Sequence, residues 1–341
     1  MPPNLQPLLQ SYAARFLPLW PQPKVGPVAR LSGGWESELY TFNLEYGPPG
    51  ARRTLGLVLR LLPGDGAAAK ARREFNGMRR LYQAGYPVPS VHHLALDDSP
   101  LNGPFIVMDR IDGQPMWPGL ADRPPTEQQA LWDQFNGLFV KLHRLDWLPF
   151  LPEPERWQAA RPYAWVDDAL AEAASLVERF ELSGFKPVLA WLADRRLQAA
   201  CPRPAVVHGD FHPANVLLRP DGSAVVIDWS SLGVSDPRFD LAWSLMLAES
   251  HAGLNLRNTL LAGYEQASGA AVAGLAYFEV YVCLRRLADI TVSLTHGAER
   301  MSMRPEAVAL MRAQLPQFSV VAGMLQTRTG LRVPEVDALL A

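Results

Sequence analysis

The sequence predicts an α+β fold of two lobes, a small antiparallel sheet followed by a larger, mainly helical body. Three observations carry this. In the first third, apolar and polar residues alternate with period two, as half-buried strands require. From Thr126 onward the apolar residues recur at helical spacing instead. The 341 residues suffice to bury two cores. A strand-rich block followed by a helix-rich block is the α+β order. The expected crossing segment is Asp109 to Gly113, which sets the lobes at residues 1–109 and 110–341.

Leu5, Leu8, Leu9, Tyr12 and Phe16 fall at helical spacing and predict a short amphipathic opening helix. A proline-rich linker follows, and Val25 to Ser32 is a candidate first strand. Leu31 to Ser37 reads L-S-G-G-W-E-S, a turn with two adjacent glycines. Tyr40, Phe42, Leu44 and Tyr46 alternate with polar residues and predict the second strand. Gly47-Pro48-Pro49-Gly50 reverses the chain into a third strand, Leu55 to Leu62, which carries Arg60. Ala67 to Ala84 is a predicted helix with Phe75, Met78, Leu81 and Tyr82 on one face and Gly85 at its C′ position. Glu74 lies inside it. Val91–Leu96 and Phe105–Met108 complete the sheet.

Thr126-x-x-Gln129 resembles a capping box. Leu131, Phe135, Leu138, Phe139, Leu142 and Leu145 then form a helical stripe. Further helices are expected over Val166–Phe180, Pro187–Gln198, Phe239–Glu249, Leu254–Gln266, Leu275–Leu294 and Pro305–Leu325. Between them lies V-V-H-G-D-F-H-P-A-N-V-L-L-R-P-D-G-S-A-V-V-I-D, from Val206 to Asp228, read as two short strands around a loop.

That stretch concentrates the chemistry. Asp210 to Asn215 is five positions, the spacing of the kinase catalytic loop H-R-D-x-x-x-x-N, with Gly209 where the Arg would stand. Asp210 is the candidate base for a substrate hydroxyl. Asn215 and Asp228 supply hard oxygens suited to Mg²⁺. His208 and His212 flank Asp210, which opens a zinc reading; His208 is better suited to shaping the loop. Gly33 and Gly34 can bring backbone N–H groups to phosphates, with Ser32 and Ser37 beside them. Arg60 can pair with Glu74 and reach phosphate. Asp240 can cap its helix or accept from the catalytic loop's backbone.

Net charge is −2, so no global positive field favours nucleic acid. No run reaches the roughly 18 apolar residues a bilayer demands, and no basic leader is expected. Cys201 and Cys283, far apart in sequence, read as two buried thiols of a cytoplasmic protein.

The segments Val206–Leu218, Val225–Trp229 and Gly233–Trp243, with L-S-G-G-W-E-S-E-L-Y, the R-R-E-F-N-G-M-R-R-L-Y-Q-A-G-Y-P-V-P helix and P-F-I-V-M-D-R-I-D-G, resemble the aminoglycoside phosphotransferase and choline kinase family. The resemblance implies a protein-kinase-like fold and Mg²⁺-dependent transfer of a nucleotide γ-phosphate to a small-molecule hydroxyl. It implies Asp210 as catalytic, Asn215 and Asp228 as metal ligands, and Glu74 as partner of Arg60, which stands where many members have Lys. Met108, Asp109 and Ile111 match the hinge that holds the purine of ATP or GTP. The alternative is a catalytically weak pseudokinase or nucleotide-binding scaffold, prompted by Arg60. For a polycationic acceptor the candidate carboxylates are Asp167, Asp168, Glu172, Glu249, Glu279 and Asp289. For a choline-like one the candidates are Trp157, Trp165, Trp229 and Trp243. The expected partners are the nucleotide and the hydroxyl compound, with no nucleic acid and no membrane.

Overall fold

In the computed structural model the described residues are 5–16, 20–31, 37–64, 66–96, 99–118, 120, 123–151, 162–301 and 303–341. They fall into two compact units. One comprises Met1–Pro115, Val216–Ser230 and Ser302–Arg304; the other comprises Met116–Asn215, Ser231–Met301 and Pro305–Ala341.

The first unit opens with helix α1 (Leu5–Phe16) and strands β1 (Lys24–Val25) and β2 (Ala29–Leu31). The expected single strand is thus two pieces. Pro27 has no N–H to donate, and Gly26 donates to Asn43 O across the gap. Strands β3 (Glu38–Tyr46) and β4 (Arg53–Leu61) form a nine-residue antiparallel pair. Helix α2 (Ala67–Gln83), β5 (Val91–Ala95), β6 (Phe105–Asp109) and β7 (Gln114–Pro115) follow. The sheet order is β1-β3-β4-β6-β5, with β2 also on β3.

Strand alternation sorts the two faces of this sheet. Tyr40, Phe42, Leu44, Leu57, Leu59 and Phe105 point to one face and bury against Leu5, Leu9 and Tyr12 of α1. Leu8, placed in the stripe by spacing, is exposed. Arg60 is out of phase with Leu57 and Leu59, so it points to the opposite face. It pairs across the sheet with Leu39 and Ile106. Helix α2 buries Ala67, Ala71, Glu74, Met78 and Leu81, a stripe repeating every three or four residues. Tyr82, one position past Leu81, turns outward and is 58% exposed, against expectation. Gly85, at φ +70, ends the helix as predicted: its N–H reaches Tyr82 O, and the Tyr86 N–H reaches Leu81 O.

The second unit is helical. It contains α3 (Pro125–Arg144), α4 (Ala164–Arg179), α5 (Lys186–Asp194) and the short strand β8 (Ala205–Val207). No capping box forms at the start of α3. The helix begins at Pro125, where a missing N–H costs nothing, and Thr126 lies inside the first turn. Strands β9 (Val216–Leu218) and β10 (Ala224–Val226) return to the first unit as a hairpin that also carries β7. The strand at Val216 was not anticipated, because V-L-L directly follows the loop motif and has no alternation to mark it. Strand β11 (Gly233–Ser235) pairs with β8 in the second unit.

Helices α6 (Pro237–Ala252), α7 (Leu254–Ser268) and α8 (Leu275–His296) build the core, with α8 buried along most of its length. The helix expected over Pro305–Leu325 is two, α9 (Ala307–Ala313) and α10 (Leu315–Thr329), bent by 66°. Pro316 occupies the first turn of α10, where it cannot continue a preceding helix. Helix α11 (Pro334–Leu340) closes the chain. Among the described residues no single helix is long and apolar enough to cross a membrane.

Candidate active site

One cluster lies in the first unit. Arg60 Nη1 is 2.8 Å from Asp228 Oδ1 and 3.4 Å from Glu74 Oε1. The side chains of Arg60 and Glu74 are 7% and 2% exposed, so this is no surface salt bridge. Asp228 follows β10, whose Val226 N–H donates to Pro87 O. Trp229 is fully buried edge-on against Tyr86 at 5.6 Å, and its Nε1–H donates to Val226 O. Between the anchored Val226 and Trp229, Asp228 adopts φ +62, a left-handed conformation uncommon outside glycine and concentrated at functional positions. Trp229 is therefore a core residue of this unit and no candidate for an acceptor pocket.

Ser37 is buried at the entrance to β3. Ser32, Gly33 and Gly34 lie outside the described residues, as does Trp157. Met108 pairs with Val58 and Val91 inside the sheet. The Asp109 N–H donates to Ser90 O, and its carboxylate lies 2.6 Å from His92 Nε2. Ile111 is half-buried just after β6, beyond Arg110, whose N–H donates to Gly56 O.

The second cluster, in the second unit, surrounds Asp210. Gly209 takes φ +81, and a Cβ there would sit 2.6 Å from Ser231 Cβ, so only glycine fits. Phe211 is fully buried and stacks on Phe139 at 4.2 Å, anchoring the loop in the core. The N–H of Asp210 donates to His208 Nδ1 at 3.2 Å. Asn215 Nδ2 donates to Asp210 O at 2.9 Å.

Helix α6 grips this loop through Asp240, Trp243 and Ser244. Positions i, i+3 and i+4 share one helical face. Asp240, fully buried, accepts from the backbone N–H groups of His208 and Gly209 at 2.7 and 2.9 Å and lies 3.3 Å from His143. Trp243 Nε1–H donates to Asp210 Oδ1 at 2.8 Å. Ser244 Oγ–H donates to Phe211 O. Asp236, not Asp240, caps the helix by accepting from the Arg238 N–H. The sequence offers Trp243 only as a candidate wall of an acceptor pocket and gives Ser244 no role; the D-x-x-W-S spacing near a helix start was the available signal for both as partners of the loop.

Burial alone would raise the Asp210 carboxyl. The hydrogen bond and field of His212, the Trp243 N–H and the His208 ring outweigh it and hold the carboxyl well below the usual carboxylate range. The result is a fixed, ionised acceptor. The zinc reading does not fit. His208 is fully buried with Nδ1 occupied by the Asp210 N–H, which leaves too few ligands in this loop. Among the described residues no three His, Cys, Asp or Glu side chains are placed to hold a metal. Cys201 and Cys283 are buried free thiols, each pushed up to about 12 by burial.

Residues 27–278 match the phosphotransferase enzyme family APH. Acyl-CoA dehydrogenase family member 10 of Mus musculus is 28% identical over 203 residues, which are 56% of this chain and 18% of that one. A Ralstonia eutropha JMP134 protein, proposed to be an aminoglycoside phosphotransferase, aligns with TM-score 0.68 at 17% identity, covering 96% of this chain and 98% of its own. The GDP and kanamycin complex of APH(2")-IIia aligns with TM-score 0.58 at 14% identity, covering 89% and 96%. These structural likenesses show a shared kinase-like fold, with an antiparallel sheet and a mainly helical remainder. The matched family and the motif residues from Val206 to Trp243 agree: the chain belongs to the APH phosphotransferase enzyme family.

Proposed function

We propose that this protein transfers the γ-phosphoryl group of ATP or GTP to a hydroxyl of a small molecule, with Mg²⁺. The observation that carries the reading is Asp210, an ionised carboxylate on a loop pinned by Asp240 and oriented by Trp243. In the reaction the acceptor oxygen forms a bond to the γ-phosphorus, and the bond from that phosphorus to the β–γ bridging oxygen breaks. The nucleoside diphosphate leaves with the electron pair, and the hydroxyl proton passes to Asp210.

Asn215 and Asp228 suit Mg²⁺ by donor type. The Asn215 amide nitrogen is committed to Asp210 O, which leaves its oxygen as the end for a hard cation. The Asp228 carboxylate is an oxygen donor held in a fixed backbone conformation. When bound, Mg²⁺ would neutralise charge on the phosphates. Arg60, with Glu74, is suited to the nucleotide phosphates. The two N–H groups at Asp109 and Arg110 are already used within the protein, so Ile111 is the hinge residue proposed to donate to the purine. The APH(2")-IIia neighbour was solved as a complex with GDP and kanamycin, which makes aminoglycosides and guanine nucleotides reasonable compounds to test. The chain covers only 18% of the dehydrogenase relative, so that name carries no activity to it. The two buried thiols agree with a reducing compartment such as the cytoplasm.

A second reading has one observation in its favour. The Arg60 guanidinium engages the Asp228 carboxylate that the metal requires, as expected of a nucleotide-binding scaffold with weak turnover. A panel of alcohols and antibiotics with ATP and GTP, read as diphosphate release, separates the two. Turnover abolished in Asp210→Asn with nucleotide binding retained supports transfer. Nucleotide binding without acceptor-dependent release in any case supports the scaffold.

A further inference from the structure

Gly56, Val58 and Arg60 share the face of β4 turned away from α1, since Leu57 and Leu59 bury on the α1 side. Of the three, Gly56 alone offers no side chain. The Arg110 guanidinium lies over it. A Cβ at Gly56 would sit 2.6 Å from Nη2, 2.8 Å from Cζ and 3.0 Å from Nε of Arg110, and these are the atoms nearest to it. Such similar distances to a single point mean that the guanidinium plane lies flat on the strand. The Gly56 backbone does not take a positive φ, so it is Arg110 that keeps a side chain out.

The edges of the same guanidinium bind within the first unit. Nη1 donates to Asn43 Oδ1 at 3.0 Å and to Thr41 Oγ1 at 3.4 Å, both on β3. Nε donates to Asp112 Oδ1 at 3.2 Å. The Arg110 N–H donates to Gly56 O at 2.9 Å. Arg110 and Asp112 are the chain neighbours of Ile111, so their contact closes across it. The Arg110 side chain then ties that closed segment to β3 and β4. The Asp112 side chain is 82% exposed, so the ion pair by itself contributes little. The seat on Gly56 and the bonds to β3 hold the segment.

We infer that Arg110 is a positioning residue for the purine: seated on Gly56 and bonded to Asn43, it fixes the direction of the Ile111 N–H proposed to donate to the base. It acts through Ile111 and not on the phosphates. Arg60, suited to the phosphates, lies four positions from Gly56 along β4, roughly 13 Å at about 3.3 Å per residue. A segment already held in its binding conformation loses less freedom when the ligand arrives, and the saving shows as affinity. This rests on the nucleotide part of the phosphotransfer reading above.

The test compares ATP and GTP with inorganic tripolyphosphate, which carries the phosphates and no base, all with Mg²⁺. Calorimetry measures each on the intact protein, Gly56→Ala, Arg110→Ala and the double variant. Both single variants should weaken the preferred nucleotide about tenfold and leave tripolyphosphate within about twofold. Retained tripolyphosphate affinity also shows that a variant is folded. In the Arg110→Ala background Gly56→Ala should add nothing, because it acts by lifting that guanidinium. Nucleotide affinity unchanged in either single variant, equal losses for nucleotide and tripolyphosphate, or additive losses in the double variant overturn the inference and leave the phosphotransfer reading standing. An intact protein that binds tripolyphosphate as tightly as nucleotide also overturns it, since no base is then recognised. An intact protein that binds neither overturns both.

Discussion

Arg60 Nη1 lies 2.8 Å from Asp228 Oδ1 while the same nitrogen faces the buried Glu74 carboxylate. One guanidinium therefore serves two carboxylates, and removing it takes a close cation from the buried Glu74. Arg60→Met is expected to destabilise the protein by about 3–5 kcal/mol and to weaken nucleotide binding. Arg60→Lys should recover most of the stability, because a point charge can still face Glu74, but not the planar contact to Asp228. Urea unfolding and nucleotide calorimetry on both variants check this. Unchanged stability in Arg60→Met would remove the ion pair from the account.

Asp240 accepts two backbone N–H groups of the catalytic loop from within the core. Asp240→Ala leaves both donors buried and unsatisfied, at a cost of about 3 kcal/mol, and frees the loop that carries Asp210. Asp240→Asn keeps one acceptor oxygen and should fall between. Thermal unfolding and kcat should decline in the same order. Full activity in Asp240→Ala would refute the positioning role.

Gly209→Ala places a methyl against Ser231 at a left-handed backbone position. A stability loss of roughly 2–3 kcal/mol and near-complete loss of turnover are expected. Gly222, also left-handed but with open space around its Cβ, is the control. Gly222→Ala should cost only about 1–2 kcal/mol and spare activity.

The acid limb of the rate profile reports Asp210. Its carboxyl is depressed, so the active, ionised form is present above the folded value and is lost only as pH falls through it. The same depression contributes stability above the unfolded value, about 4, that fades as pH falls further. The wild type should keep its activity down to the ordinary carboxylate range. Trp243→Phe and His212→Ala each remove an interaction that lowers the carboxyl, so their acid limbs should shift upward. In Trp243→Phe, kcat should also drop roughly ten- to a hundredfold from lost orientation. Identical acid limbs in all three proteins would contradict the assignment.

Burial pushes the Cys201 and Cys283 thiols up to about 12, which suppresses the reactive thiolate. A thiol reagent at neutral pH should label neither in the native protein and both after unfolding. Prompt native labelling of either would show that it is accessible.

Much of the first unit was legible because β3 alternates from Tyr40 to Tyr46, and Gly85 marks the end of α2. Errors came where period alone is ambiguous. Tyr82 and Leu8 sit at the margin of a helical stripe, and only the partner surface decides which side is covered. Val216–Leu218 is a short apolar run without alternation, recognisable as a strand only once β10 lies beside it. Pro316 marks the break between α9 and α10, yet proline at a first turn and proline at a kink look alike in sequence.

From sequence alone, the spacing of Asp210, Asn215 and Asp228 between apolar runs determined the kind of chemistry, because local pattern specifies which residue types a loop presents. Only the tertiary structure decided how Asp210 is held. Asp240, Trp243 and Ser244 reach the loop from a helix that begins 27 residues after Asp210. Arg60 meets Asp228 across 168 positions. No local propensity encodes such pairings: they follow from how helices and sheets pack, and packing sets which side chains share a face.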